Sequence, residues 1–365
     1  MMTRFRRSVC FVAVAGAFTL GSAFAQQLPS KLANDPVTKA LGAKVVAAAR
    51  KEGVVEWYGG STTRRFLKAG RKKAFEKRFG IKIKATTGRL RNVVDRVRTE
   101  HAVGRLIADT VAINDQYMHE LHKLGMFVKW RPPGKELARI NPKVFPTDPV
   151  GYWWPLGISA QGLVVNTNMV AKKDYPKSYR DLLDPKFKGK IVTRDPRSSG
   201  GGAWQMLHIY NHPDLGIEYI KKLKKVAKPF IQQGGVDRLR DSVLLGRFAI
   251  GFNGRGEFLR DLPKGAPIDF IIPKEGLVWT PISFALLKGA KHPNAVKVLM
   301  AWFYSDVKNL QVWTDRARPI PHPEIKTKIK KMSVTAYPLM DPIPPKHLAS
   351  PNFFFKQMEK VFGIR

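Results

Sequence analysis

The sequence predicts an α/β fold in two lobes, each a mostly parallel sheet flanked by helices. Three observations carry this. The chain has 365 residues, and beyond about 250–300 residues single hydrophobic cores stop growing and chains divide. From residue 54 onward, short apolar or alternating runs are interleaved with runs of helical period, the pattern of parallel strands joined by crossover helices. The series is interrupted once, resumes, and ends on a further strand and helices, so the chain leaves a first lobe, builds a second and returns.

Taken in order, residues 54–60 (VVEWYGG) read as a strand ending in a turn, 63–79 as one helix, and 81–88 (IKIKATTG) as an alternating strand. Residues 90–104 read as a helix with apolar Leu90, Val93, Val94 and Val97, 108–114 as a third strand, and 115–125 as a helix stopped by glycine. Residues 129–150, rich in proline and basic side chains, read as a connecting excursion over the surface. The second series has a strand at 158–167, a short helix and turn at 178–189, a strand at 190–196 and a helix beginning near Ala203. Amphipathic helices at 214–227 and 236–247 follow, then a short buried strand at 248–254, and 268–276 leaves this lobe. The return has a strand at 278–290, one or two helices at 292–314, and a terminal helix at 352–362. The expected organisation is therefore a signal peptide at 1–25, a lead-in at 26–53, a first lobe at 54–155 plus 276–335, a second at 156–275, and a C-terminal helical segment at 336–365 packing on the lobes.

The N-terminus has Arg4, Arg6 and Arg7, an apolar run, and Ala23-Phe24-Ala25 before Gln26, the arrangement of a cleaved secretory signal. The sole cysteine, Cys10, lies inside that segment without the small-residue box of a lipid-modified cysteine. The mature chain is thus expected to be exported to a bacterial periplasm without disulfides, thiol catalysis or cysteine metal sites. The formal net charge of +36 falls to +33 on cleavage, because three arginines and no acid leave. So basic a chain favours anionic partners, although the even spread of its lysines is equally consistent with adaptation to an acidic environment.

The stretches GLVVNTNMV, SYRDLLDPKFKGKIVTRDPRSSGGG, LLGRFAIGFN and LKGAKHPNAVKVLMAWFYSD, in that order, resemble periplasmic substrate-binding proteins of ABC transporters, in the branch that includes ferric-ion-binding proteins. The resemblance covers roughly residues 54 to 320. It implies a type II periplasmic binding protein fold, two α/β lobes closing on a ligand in the cleft between them, and a membrane permease of an ABC transporter as partner. It implies no enzyme activity and no cofactor.

In such folds the ligand is met by loops after strand ends and by helix N-termini. That rule selects Ser61, Thr62 and Thr63 after the first strand, Thr87 and Arg89 after the second, and Asn114 after the third. From the second lobe it selects Arg194, Ser198, Ser199, Gly200 and Gly201, then Asn253 and Arg255. Helix capping alone would account for one of Ser61 to Thr63 and for Thr87, Arg89 reads equally as a solvated charge, and a salt bridge would account for one of Arg194 and Arg197. Tyr58, Tyr152, Trp153 and Trp154 could stack on a ligand or pack in the interior.

Ferric-binding members of the branch carry two adjacent tyrosines after the strand corresponding to FAIGFN, where this chain has Gly254 and Arg255. A guanidinium is no metal ligand, but it engages carboxylate or phosphate through paired hydrogen bonds. The expected ligand is therefore a small anionic solute bearing phosphate, phosphonate or carboxylate, bound by a monomer. The alternatives are ferric iron or a metal–anion complex and, in another class, an exported hydrolase. The helically spaced pairs His119/His122 and His208/His212 lack a HEXXH context or a third ligand, no serine-hydrolase elbow is present, and no nucleic-acid-binding motif accompanies the charge.

Overall fold

A computed structural model describes residues 28–140, 151–197, 201–255, 258–261, 263–316, 318–327, 331, 333, 337–349 and 352–363. The expected signal peptide, the second half of the 129–150 excursion, and Ser198, Ser199 and Gly200 lie outside these residues.

In the first lobe β1 (Val54–Gly59) lies between β2 (Lys82–Thr87) and β3 (Thr110–Asn114), all parallel. The crossovers are α4 (Ser61–Lys68), α5 (Arg71–Phe79) and α6 (Leu90–Ala102), and α7 (Asp115–Lys123) follows β3. The second lobe has β5 (Ile191–Arg194) between β6 (Phe230–Gln232) and β7 (Ile250–Gly254), again parallel. Its helices include α8 (Gly201–Asn211), α9 (Gly216–Lys222) and α10 (Val236–Leu244), with the short α11 (Phe258–Asp261) following β7.

Two long antiparallel strands join the halves. The 14-residue β4 (Trp153–Asn166) pairs with β9 (Val278–Leu286) from Trp153 to Gln161, then with β7 and with β8 (Ile268–Ile271) from Gly162 onward. β9 in turn pairs with β3, so the strand order is β2-β1-β3-β9-β4-β7-β5-β6. Three strands of each lobe are parallel to one another, and the pairings made by β4 and β9, including those of β4 with β7 and β8 and of β9 with β3, are antiparallel, which makes the fold a mixed α/β one.

Burial follows apolar patterning. One aromatic cluster of the first lobe sets Trp57 4.8 Å from Phe66 between ring centroids and Phe66 5.6 Å from Trp313, with Trp302 and Phe303 from α12 (Pro293–Phe303) around them. Trp313 belongs to α13 (Val307–Arg316). In the second lobe Tyr179, Phe252 and Leu207 share a core with Phe354, Met358 and Phe362 of the C-terminal segment, which contains α14 (Pro345–Ala349) and α15 (Asn352–Phe362).

Several local expectations need correction. The helix expected at 63–79 is two, because Gly70 takes φ +75° and caps the second in a left-handed conformation that breaks the first. The lead-in contains α1 (Ser30–Ala33), α2 (Pro36–Leu41) and α3 (Ala43–Glu52), and Val46 and Ala49 of the last are buried in the first-lobe core. At 178–189 there are two 3-10 turns, Tyr179–Leu183 and Pro185–Phe187, started by the side-chain caps Ser178 and Asp184. The helix at 214–227 ends in a π turn, Leu223–Ala227, closed by Lys228 at φ 49°. The edge strand β6 was not foreseen, because its three residues are too few to show a period.

Candidate functional site

Where the lobes meet, a cleft is lined by Gly60, Ser61, Thr62, Leu90, Ala112, Asn114, Ser159, Gln161, Trp204, Arg255, Thr280, Ile282 and Arg318. These residues come from strand ends, helix starts and the crossing strands.

The first lobe contributes the N-terminus of α4. Gly60 is its N-cap and makes no side-chain cap hydrogen bond, so the first-turn N–H groups of an eight-residue helix face a cleft flanked by Ser61 and Thr62. The two preceding glycines leave little room for a side chain. A Cβ at Gly60 would lie 2.7 Å from Leu90 Cδ2, and one at Gly59 would lie 2.1 Å from Thr63 Oγ1. Thr63 is thereby buried behind the helix start and does not line the cleft. Asn114, the last residue of β3, does line it. Thr87 and Arg89 do not: Thr87 pairs with Gly59 in the sheet, and Arg89 is an exposed N-cap of α6.

The crossing strands form the floor. Side chains alternate across a strand, so Ser159 and Gln161 of β4 share one face, and Thr280 and Ile282 of β9 share the adjoining one, with Ser159 directly opposite Thr280. Sequence reasoning missed all four. The available signal was polar Ser159 and Gln161 at alternate positions of a strand that is otherwise apolar and buried on both faces.

From the second lobe come Trp204, in the first turn of α8, and Arg255, immediately after β7. Gly201 opens α8. Gly254, just before Arg255, lets β7 approach β4 closely, because a Cβ there would lie 2.5 Å from Val164 Cγ1 and 2.7 Å from the Val164 nitrogen. Asn253 is fully buried and turned into the lobe: its Oδ1 accepts from Arg194 N at 2.7 Å and Thr193 Oγ1 at 3.1 Å, and its Nδ2 donates to Gln205 Oε1 at 2.5 Å. It ties β7 to β5 and α8 and does not line the cleft. Arg194 is directed away as well, donating from Nε to Gly234 O at 3.3 Å, and burial lowers its guanidinium from the usual range. Arg197 is the salt-bridging member of the pair, 2.9 Å from Asp195. Burial alone would raise the Asp195 carboxyl, but hydrogen bonds from the Arg197 side chain and backbone and from Gln233 hold it below the ordinary value.

Arg318 was also missed. It is 2% exposed and reaches the cleft from an irregular segment after α13 that lies across β4, where Ile158 N donates to Pro319 O at 2.9 Å. Gly157 makes that crossing possible: it has φ +146°, and a Cβ there would lie 2.6 Å from Arg318 Cβ.

The described lining residues thus include two guanidiniums and a helix N-terminus, and no carboxylate, imidazole, thiol or phenol. That donor set fits an anion and offers a metal ion no charged ligand. Among the described residues no group of three or more His, Cys, Asp and Glu side chains could hold a metal. His119 and His122 pack against Trp153, and His208 is buried with Nε2 2.7 Å from Trp279 O. Tyr58 is core, its hydroxyl donating to Glu100 Oε1 at 2.9 Å, and burial together with Glu100 pushes its pKa up to about 12. Trp153 and Trp154 are buried outside the cleft. Among the described residues no helix is long and apolar enough to cross a membrane.

Comparison with known proteins agrees with this architecture. The family model for bacterial extracellular solute-binding proteins matches residues 110–336, more than half of the chain. The periplasmic binding protein AfuA from Actinobacillus pleuropneumoniae is 21% identical over 86% of this chain and 99% of its own, with a TM-score of 0.70. HitA from Pseudomonas aeruginosa is 19% identical over 84% of this chain and 99% of its own, with a TM-score of 0.68. The periplasmic binding protein P5PA is 18% identical over 85% and 99%, with a TM-score of 0.67. An uncharacterized protein of Haemophilus influenzae is 26% identical over 158 residues, which span 42% of this chain and 45% of that relative. Two lobes joined by crossing strands, a cleft at their junction and the family match together make this chain a member of the bacterial extracellular solute-binding proteins, built on the type II periplasmic binding protein fold.

Proposed function

We propose that the chain captures a small anionic solute between its lobes and delivers it to the permease of an ABC importer, working as a monomer in the periplasm. The observation that carries this is the convergence of Arg255 and Arg318 with the N-terminus of α4 on a cleft whose described lining contains no acid. In a narrow cleft such donors interact with an anion more strongly than in bulk water, and each guanidinium can offer two parallel hydrogen bonds. The family is one of binding proteins, which supports a carrier over an enzyme. No imidazole or carboxylate lies beside Ser61 or Ser159 among the described lining residues to activate a nucleophile.

Structural relatives bind different cargo. AfuA was crystallised with fructose 6-phosphate and HitA with iron. Arg255 and the lack of charged metal ligands in the described lining support the phosphate-like precedent over the metal one. The test is isothermal titration of the mature chain with inorganic phosphate, methylphosphonate, citrate and ferric chloride, repeated on Arg255→Ala. Binding of an anion, weakened at least tenfold in the variant with an unchanged circular dichroism spectrum, is expected. Equal affinity in the variant would remove Arg255 from the site.

A further inference from the structure

Capture of an anion accounts for the guanidiniums but leaves the neutral polar groups of the same cleft unexplained. Asn114, Ser159, Gln161, Trp204 and Thr280 are 1%, 2%, 0%, 4% and 5% exposed, and all five line the cleft. Asn114 Oδ1, Ser159 Oγ, Gln161 Oε1 and Nε2, Trp204 Nε1 and Thr280 Oγ1 are buried without a hydrogen-bond partner among the described residues. Buried polar atoms are ordinarily paired, and each unpaired one destabilises the fold. Elsewhere such atoms are scattered, as with Thr38 Oγ1 and Trp57 Nε1, whereas here six gather on one surface.

Their chemistry restricts what can meet them. Trp204 Nε1 and Gln161 Nε2 only donate, Asn114 Oδ1 and Gln161 Oε1 only accept, and the two hydroxyls do either. Both amide atoms of Gln161 are involved, so one acceptor remains whichever way that amide is turned. A fully ionised phosphate or carboxylate has no proton to give these acceptors, and an alkyl chain satisfies none of the six atoms. An ammonium group would donate, but it would stand beside Arg255 and Arg318. A hydroxyl donates and accepts and carries no charge.

We infer that the solute is a small organic anion whose body carries several hydroxyls, with the anionic group at the guanidiniums and α4 and the hydroxyls on the floor formed by Ser159, Gln161 and Thr280. The inference rests on the anion reading proposed above. Sugar phosphates and sugar acids share this chemistry, and matched pairs of probes distinguish them.

The experiment is isothermal titration with glycerol 3-phosphate against propyl phosphate, fructose 6-phosphate against hexyl phosphate, gluconate against hexanoate, and inorganic phosphate alone. At least one hydroxylated probe is expected to bind a hundredfold or more tighter than its alkyl partner. Gln161→Leu and Thr280→Val, both close in shape to the native residues, are each expected to reduce that ratio to below tenfold. The ligand-free melting temperature should stay level or rise in both, because an unpaired buried group has been removed. Alkyl or inorganic anions binding within tenfold of the hydroxylated ones, or a ratio untouched in both variants, would overturn the hydroxyl assignment and leave the anion reading standing. No binding by any member of the panel would overturn both.

Discussion

Arg318 shows how a cleft-lining residue can be invisible in a sequence. It sits in no motif and follows no strand, and it enters the cleft only because Gly157, 161 positions earlier, leaves room for its Cβ. Arg255, by contrast, was legible from the two glycines that flank it, and Ser61 and Thr62 from the strand-to-helix junction that they open. Asn253 was chosen by the same strand-end rule, yet its amide is fully engaged inside the lobe, because position along a strand does not reveal which face a side chain takes. Replacing Arg318 by Met should weaken anion binding by about 3 kcal/mol, on the order of a hundredfold in Kd by titration, since one charge-assisted contact is lost. Gly157→Ala should lower stability by about 1–3 kcal/mol in urea denaturation and weaken binding too, by displacing Arg318, although residue 157 is not in the cleft lining.

At the scale of elements, the strands and helices of each lobe were legible because their periods are clear, as in 82–87, 110–114 and 352–362. The split of 63–79 was not, since apolar spacing carries across Ala69 and Gly70 and only the φ of +75° reveals the break. The chemistry of the floor was hidden because it depends on β4 and β9 lying side by side, 121 residues apart at the directly opposed pair Ser159 and Thr280. Asn253→Leu would strand the Arg194 N–H, Thr193 hydroxyl and Gln205 amide, so a loss of about 2–4 kcal/mol in chemical denaturation is expected. His208 fastens α8 to β9 through Trp279 O, and burial lowers its pKa to about 4 from the usual 6.5. Below pH 6.5 the unfolded chain takes up a proton that the folded one refuses, so this residue's contribution is full above pH 6.5 and is lost as the pH falls toward 4. The loss is on the order of 3 kcal/mol. His208→Gln should flatten the stability profile over that interval, measured by denaturation at a series of pH values.

For the molecule as a whole, the two-lobed organisation was readable from the interruption and return of the strand–helix series, while the way the lobes share one path of paired strands was not. A cleft floored by the crossing strands places the ligand where any change in the angle between the lobes is felt, which suits hinge closure. A ligand held by groups from both sides should therefore shrink the radius of gyration in small-angle scattering. The charge of +36 concerns the whole surface and would assist encounter with an anion, whereas the proposed selection among anions would belong to the cleft. The most direct test is a thermal-shift series on the mature chain at fixed ionic strength with phosphates, phosphonates, carboxylates, spermidine and ferric chloride. A ligand that binds only the folded state raises the melting temperature. A rise of several degrees with at least one organic anion, and none with spermidine or with ferric chloride alone, is the predicted result; a rise with spermidine or ferric chloride and with no anion would contradict the anion-binding cleft.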